Sequence, residues 1–220
     1  MRKLIDLTLP LVPHWRYPIQ ISPVKSMKNG DAANATHFDM QTHWYTHIDA
    51  PRHQLIDGKT LNDFPLDYLI GKAVVLDVSY VNANEGITDK MLKEAMGEEK
   101  DAKFIIIKTC WEQKTQWQSY DYWDNAPYMT DEAAMYIRDL KPNVVGFDFP
   151  QDYDIRRLRT EDEHNLTLTT HNYILKNDIL MIEYMTNLWS VTRKVVDIVA
   201  LPMALENIDG AQIRVVAIEE

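Results

Sequence analysis

Cysteine and glycine are scarce in this chain of 220 residues, which has one cysteine, Cys110, and seven glycines. A single cysteine excludes an intramolecular disulfide and a cysteine-rich zinc site. Because Cys110 follows an apolar run, we interpret it as a packed small hydrophobe rather than a nucleophile. The glycines form no dinucleotide-binding, Walker or Gly-x-Ser-x-Gly pattern. The sequence therefore indicates neither a phosphate-binding loop nor a serine hydrolase.

The chain also lacks an excess of positive charge and a long apolar run. It has 23 Lys and Arg against 33 Asp and Glu, a net charge of −10, which disfavours binding to nucleic acid or to an anionic membrane. No apolar run approaches the ~20 residues that span a bilayer. Asp6, Pro10 and Pro13 interrupt the start of the chain, which rules out the apolar core of a signal peptide. We predict a cytoplasmic protein.

The composition is that of a folded protein, with 45% hydrophobic and 25% charged residues. The length fits one domain over residues 1–220. Apolar patterns predict strands at 4–11, 36–42, 73–78, 104–107, 144–148, 179–183, 195–201 and 213–218. Helices are predicted after Thr88, after Thr130 and at 165–175. This alternation favours an α/β domain with a mixed sheet. Residues 111–125 are predicted to form a long loop, which either carries function or is fixed by aromatic packing.

Three of the seven histidines and one aspartate lie within eleven residues: His43, His47, Asp49 and His53. We predict a helical turn that places His43 and His47 on one face, with Asp49 joining them as the chain turns toward Pro51. Two imidazoles and a carboxylate suit Zn²⁺, Mn²⁺ or Fe²⁺ and leave positions open for water. The alternative is that these histidines are exposed polar residues on a loop.

A second pair lies further along the chain. His171 falls on a predicted helix and Glu183 on the strand that follows it, and a helix that returns as a strand can bring two such positions together. A carboxylate in an apolar strand is costly unless it is paired or binds a metal. From the residues alone, a buried structural glutamate is the commoner explanation.

The segment 43–53 resembles the signature H-T-G-T-H-x-D-x-P-x-H of the metal-dependent cyclase family, which includes bacterial kynurenine formamidases and isatin hydrolases. Further segments resemble other motifs of that family in the same order: residues 5–8, 69–77, 145–148, 171–188, 201–203 and 209–217. The resemblance covers essentially the whole chain. It implies a β/β/α swivelling-type fold, a homodimer, and hydrolysis of a C–N bond in a small formamide, amide or cyclic amide.

The resemblance also implies roles for individual residues. Five of them would hold one or two divalent ions, zinc first and manganese second: His43, His47, Asp49, His171 and Glu183. Asp49 would bridge the two ions. His53 would serve as the catalytic acid/base, and the alternative is that it is a third imidazole ligand.

Four residues in three segments depart from the family pattern. Trp44-Tyr45 stands where the family usually has Thr-Gly, Cys110 where it often has Gly, and Gln212 where it usually has Pro. The ligands are unaffected, but bulky aromatic residues would reshape the pocket. We therefore do not extend the kynurenine specificity of the family to this chain. We predict a small-molecule substrate and four residues that contact it: Trp15, Trp44, Tyr45 and Trp111.

The predicted activity is metal-dependent hydrolysis through water that the ion activates, with His53 transferring the proton to the leaving nitrogen. One alternative is hydrolysis of a lactone or another ester at the same metal site. Another is a non-catalytic protein braced by metal, which an open His/carboxylate site disfavours, because structural zinc sites are usually closed and rich in cysteine.

The segment 14–18 is rich in aromatic residues, which are hard to bury in a small domain. We predict that this segment supports the homodimer.

Overall fold

A mixed sheet of eight strands forms the centre of the protein in the computed structural model, which describes residues 2–99, 103–160 and 165–220. The strands in the described residues are β1 (Lys3–Asp6), β2 (Gln20–Lys25), β3 (Ala35–Asp39), β4 (His47–Asp49), β5 (Ile70–Asp77), β6 (Gly86–Ile87), β7 (Phe104–Lys108), β8 (Tyr128–Met129), β9 (Val144–Phe147), β10 (Leu180–Glu183), β11 (Val195–Pro202) and β12 (Gly210–Glu219). The α-helices in these ranges are α1 (Asp89–Met96), α2 (Trp111–Lys114), α3 (Tyr120–Asp124), α4 (Asp131–Leu140) and α5 (Thr169–Leu175).

The large sheet closes on itself like a barrel. Its strand order is β1-β12-β11-β5-β7-β9-β10-β4, and β4 pairs with β12 as well as with β10. Strands β5, β7, β9 and β10 run parallel, and the other pairings are antiparallel. The prediction of an α/β fold with a mixed sheet is confirmed. The closing strand β4 carries His47 and Asp49, so closure of the sheet fixes the position of both side chains.

The parallel strands are buried on both faces, as their near-continuous apolar sequences predict. In β7, Ile105 and Ile107 pack under the helices, whereas Phe104 and Ile106 belong to a second core inside the closed sheet. This alternation follows from the two-residue period of a strand. Among the residues described, no helix combines the length and the apolar run that a bilayer crossing requires.

Helices α1 and α4 begin as predicted. The hydroxyl oxygens of Thr88 and Thr130 accept hydrogen bonds from the backbone N–H groups of Met91 and Ala133, both at 3.3 Å, which caps each helix. Gly97, with a φ of 63°, ends α1 in the left-handed region that glycine tolerates best.

The strand predicted at 36–42 is confirmed as β3, which ends at Asp39 and forms an exposed hairpin with β2. Three other local predictions are wrong. Strand β1 ends at Asp6 rather than at residue 11. Helix α5 begins at Thr169 rather than residue 165. The predicted loop 111–125 contains helices α2 and α3, because Trp111, Tyr122 and other aromatic side chains bury themselves against the core.

Candidate metal centre

The register of β4 and β10 brings three acidic and imidazole side chains together. His47 lies opposite Glu183 across the antiparallel pair, and Asp49 lies two residues further along β4, so its side chain shares the face of His47. The Nε2 atom of His47 is 3.1 Å from an oxygen of Asp49 and 3.2 Å from an oxygen of Glu183. All three side chains are almost completely buried.

His43 reaches the same point through a turn, so the prediction of a helical turn over residues 43–47 is wrong. The chain reverses at Tyr45, whose φ of 58° is left-handed, and His47 then begins a strand. The His43 ring passes over Gly210, where an added Cβ would lie 2.8 Å from its Cε1 atom. Only glycine at this position leaves room for the ring. Nδ1 of His43 lies 2.8 Å from an oxygen of Asp49.

His171 completes the arrangement from helix α5. Its Nε2 atom is 3.2 Å from one oxygen of Glu183 and 3.6 Å from one oxygen of Asp49. Its Nδ1 atom lies 2.5 Å from an oxygen of Asp152. The amide of Gln151 donates a hydrogen bond to Glu183. The structure thus brings together all five residues that the sequence predicts as ligands.

Each of the three imidazoles has one nitrogen held by an outer acceptor. The outer partners are the backbone carbonyl of Tyr45 for His47, at 2.8 Å; Asp209 for His43, at 2.9 Å; and Asp152 for His171. A carbonyl or carboxylate only accepts, so the outer nitrogen carries the proton of a neutral ring. The inner nitrogen then presents a lone pair to the carboxylates, as in known carboxylate–histidine–metal arrangements.

The centre of this cluster fits a cation. Nε2 of His47 and Oδ2 of Asp49 are buried and have no hydrogen-bond partner within the described residues. Burial acts to lower the pKa of His47, but Asp49 and Glu183 outweigh it and raise that pKa to about 10. Burial raises the pKa of Asp49, yet His47 and His43 hold it well below its usual range. Paired lone pairs and carboxylates that attract a proton so strongly also fit a divalent metal.

His53 lies beside this cluster on the single 3₁₀ turn Pro51–His53. Its ring centroid is 3.8 Å from that of His43, and its Nδ1 atom is 3.9 Å from Asp209. Burial lowers the pKa of His53 to about 4, against the attraction of Asp49, so the ring is neutral at neutral pH. The potential ligand atoms of His43, Asp49 and His53 lie within 4.8 Å of one another, so this geometry is compatible with both predicted roles of His53.

A cavity of about 590 Å³ opens onto the cluster. Trp15 and Trp44 line it together with His43, His53, His171 and Glu183. Tyr45 and Trp111 do not: the Tyr45 ring is fully buried, with its hydroxyl donating to the carbonyl of Val12, and the Trp111 indole donates to the carbonyl of Tyr122 at 2.9 Å. Two of the four predicted substrate contacts therefore belong to the buried core and not to the lining of the cavity.

Sequence analysis missed the residues that orient the cluster. Gln151 and Asp152 lie four and five residues after the end of strand β9, and polar residues near the carboxyl end of a buried parallel strand are a signal of a site. Asp209 lies just before β12, in a segment that carried the family resemblance but no assigned role. Gln212, at a position where the family usually has proline, donates to the backbone carbonyls of residues 41, 42 and 44 at 2.7, 3.0 and 3.2 Å. It thereby fixes the turn that carries His43.

Cys110 is buried at the start of α2, and burial raises the pKa of its thiol to about 12. A thiol with this pKa stays protonated at neutral pH and is a poor nucleophile. The interpretation of Cys110 as a packed residue is confirmed.

Known proteins resemble this chain well beyond the residues of the cluster. The sequence model of the cyclase family, described as "Putative cyclase", matches residues 5–151. The kynurenine formamidase of Bacillus mycoides (strain KBAB4) is 26% identical over 217 residues, which cover 96% of this chain and 95% of that protein. Its resemblance to this chain is therefore not confined to the histidine segment.

Two solved structures share the fold over almost their whole length. A "potential metal-dependent hydrolase with cyclase activity" is 25% identical, with a TM-score of 0.75 and coverage of 100% of this chain and 99% of the other. Isatin hydrolase A from Labrenzia aggregata, bound to benzyl benzoate, is 18% identical, with a TM-score of 0.79 and coverage of 99% and 93%. At that identity the second likeness concerns the fold alone.

Proposed function

The chain belongs to the cyclase family, and on this basis we propose that it is a metal-dependent hydrolase that cleaves a C–N bond of a small amide, formamide or cyclic amide. The observation that carries the proposal is the buried cluster whose inner nitrogens and carboxylate oxygens face one another, an arrangement that fits a divalent cation. The similarity to kynurenine formamidase and to a metal-dependent hydrolase supports the reaction class.

We infer that the cluster binds one or two divalent ions. Five residues are the proposed ligands: His43, His47, Asp49, His171 and Glu183. Asp49 contacts the imidazoles of His43, His47 and His171 and is the proposed bridge between two ions. The nitrogen and carboxylate donors suit zinc, and manganese is the second candidate. When bound, such an ion polarises a carbonyl oxygen and makes water more acidic.

His53 is the proposed acid/base. Its ring lines the cavity next to the cluster, and because it is neutral it can accept a proton from water and pass it to the leaving nitrogen. Trp15 and Trp44 form apolar walls that bind the body of the substrate and exclude water from the reacting bond. The outer acceptors Asp152 and Asp209 keep the ligand imidazoles in the orientation that directs a lone pair inward.

The decisive experiment is to measure bound metal by mass spectrometry and then to assay panels of formamides, cyclic amides and lactones. We expect hydrolysis of C–N substrates that a chelator abolishes and that zinc or manganese restores. Preferential turnover of lactones would instead support an ester hydrolase that uses the same cluster. Activity that survives complete removal of metal would contradict the proposal.

We also propose a homodimer. The predicted interface was residues 14–18, but His14 and Tyr17 pack against Trp117 and Trp123 of their own chain. A better candidate is the β2–β3 hairpin, which exposes four large apolar side chains: Ile21, Val24, Met27 and Phe38. Light scattering should give the mass of two chains, and a monomer at micromolar concentration would refute the dimer.

We also propose a cytoplasmic location, which cell fractionation would test.

A further inference from the structure

Arg16 lies on the wall of the same cavity and has no acidic partner within the described residues. Its guanidinium carbon is 4.4 Å from the ring centroid of Trp123. The other arginine of the cavity, Arg159, is already paired with Asp124. No carboxylate of the described residues therefore neutralises the charge of Arg16. An arginine that is partly withdrawn from water normally pairs with a carboxylate, so this cation is unusual.

The segment that carries Arg16 is held rigidly. The backbone N–H of Arg16 donates to Nδ1 of His14 at 3.1 Å, and the N–H of Tyr17 donates to the His14 carbonyl at the same distance. His14 is stacked on Trp117, with ring centroids 4.9 Å apart. Since the Trp123 ring covers one face of the guanidinium, the N–H groups at its edges stay free to donate in the plane. An arginine held in this way loses little entropy when it binds a ligand.

Tyr17 adds a second donor beside Arg16. Its hydroxyl is buried and makes no hydrogen bond of ordinary geometry within the described residues. It lies beside the side chains of Arg16 and Tyr184, and both act to lower its pKa against the effect of burial. Burial raises that pKa, so the hydroxyl stays protonated and can donate. A buried hydroxyl without a partner is costly unless a ligand supplies the acceptor.

We propose that Arg16 and the Tyr17 hydroxyl form an anion subsite that binds a carboxylate of the substrate. The substrate class is then a small amide or formamide with an apolar, ring-sized body and a carboxylate. The guanidinium fork matches a carboxylate, and binding of this group at Arg16 would direct the amide toward the cluster of His43 and Glu183. The inference rests on the proposed function, because it assigns the substrate of the same cavity.

Binding is tested without turnover, using 3-phenylpropionate and its uncharged analogue 4-phenylbutan-2-one. Calorimetry on the protein as purified should give tighter binding of the carboxylate. Arg16→Gln should reduce this preference by about 10–100-fold, Tyr17→Phe by about 5-fold, and Arg16→Lys should retain part of it. The matched control is Arg159→Gln, which removes a cation of the same cavity that Asp124 already neutralises and should change the preference by less than about 2-fold.

Two outcomes would overturn the subsite. If Arg16→Gln leaves the carboxylate preference intact, the carboxylate binds elsewhere, for example at a metal ion. If Arg159→Gln lowers the preference as much as Arg16→Gln, the effect comes from the overall charge of the cavity rather than from Arg16. Unchanged thermal melting of the variants shows that the fold is preserved.

Hydrolysis separates this inference from the proposed function. N-formylphenylalanine and N-formyl-2-phenylethylamine differ only in the carboxylate, and we expect the former to have the higher kcat/KM in the wild type but not in Arg16→Gln. If both are hydrolysed equally well and Arg16→Gln changes neither, the subsite is refuted while the hydrolase stands. If neither is hydrolysed but the carboxylate preference in binding depends on Arg16, the subsite stands and the hydrolysis of formamides fails.

Discussion

The candidate centre has two halves that are built differently. The inner half consists of His47, Asp49, His171 and Glu183, whose side chains are at most 4% exposed and lie on β4, β10 and α5. The outer half consists of His43, His53 and Asp209, whose side chains are 23%, 24% and 41% exposed and lie on turns. Strand register fixes the inner half, whereas contacts between side chains and the space above Gly210 fix the outer half.

This difference separates two tasks. A buried charge that loses its partner is strongly destabilising, so the inner half is suited to holding a cation firmly. Partly exposed groups on turns have room to exchange protons and to meet a substrate, so the outer half is suited to the reaction itself. Mutations in the inner half should therefore chiefly change metal content. In the outer half, mutation of His53 should chiefly change turnover, whereas His43, a proposed ligand, and Asp209, which contacts it, should also affect metal binding.

The largest effect is expected for Asp49→Ala. Because His43, His47 and His171 all face this carboxylate, its removal should empty the centre and reduce activity by about 10⁴-fold or more. Metal content by mass spectrometry is the measurement, with the exposed Asp57→Ala as the matched control. Full metal content in Asp49→Ala would contradict the proposal that Asp49 is a metal ligand.

Glu183→Gln tests the inner half alone. The amide has nearly the same shape but lacks the charge that faces His47 and His171, so we expect loss of at least one ion and a decrease in activity of about 10³-fold. Far-ultraviolet circular dichroism should show an unchanged fold. A fully active Glu183→Gln enzyme would make this residue structural and the centre mononuclear or differently built.

His53→Ala tests the outer half. As an acid/base His53 is not needed for metal binding, so the variant should keep a metal content near that of the wild type while kcat falls by about 10²-fold or more. An empty centre in this variant would identify His53 as a ligand. Retained metal together with most of the wild-type kcat would leave His53 without either role.

The sequence was sufficient to predict which residues meet at the inner half, although for a wrong reason. His47 and Asp49 meet because alternate residues of a strand share a face, and not because of a helical turn. The pattern H-x3-H-x-D is compatible with both, and only pairing with β10 and β12 decides between them. Local spacing therefore predicted that His47 and Asp49 lie together, but not the backbone that presents them.

The pairing of each outer acceptor with its histidine was not predictable. Asp209 is 166 residues from His43 and Asp152 is 19 residues from His171, and only the folded chain brings each pair into contact. The backbone conformation at Tyr45 and Cys110, where the chain departs from the family pattern, was not predictable either. Both have a left-handed φ, 58° and 52°, where the family resemblance expects glycine. This conformation costs a non-glycine residue about 1–2 kcal/mol. The fully buried Tyr45 ring offsets that cost, since burying a large apolar side chain contributes about 1.5–3 kcal/mol.

The smallest effect is expected for Asp209→Asn. Together with Asp152→Asn, this variant tests whether an exposed outer acceptor contributes less to metal binding than a buried one. The asparagine oxygen can still accept from Nε2 of His43, but without charge, so we expect metal affinity and activity to fall by about 10-fold. Asp152→Asn is the buried counterpart. Because Asp152 is 2% exposed and also accepts from the backbone N–H of Thr170 at 2.5 Å, its variant should lose more metal affinity. Metal titrations of both variants measure the difference. If Asp209→Asn costs as much as Asp152→Asn, burial does not distinguish the halves, and if Asp209→Asn costs nothing, the space above Gly210 alone orients His43.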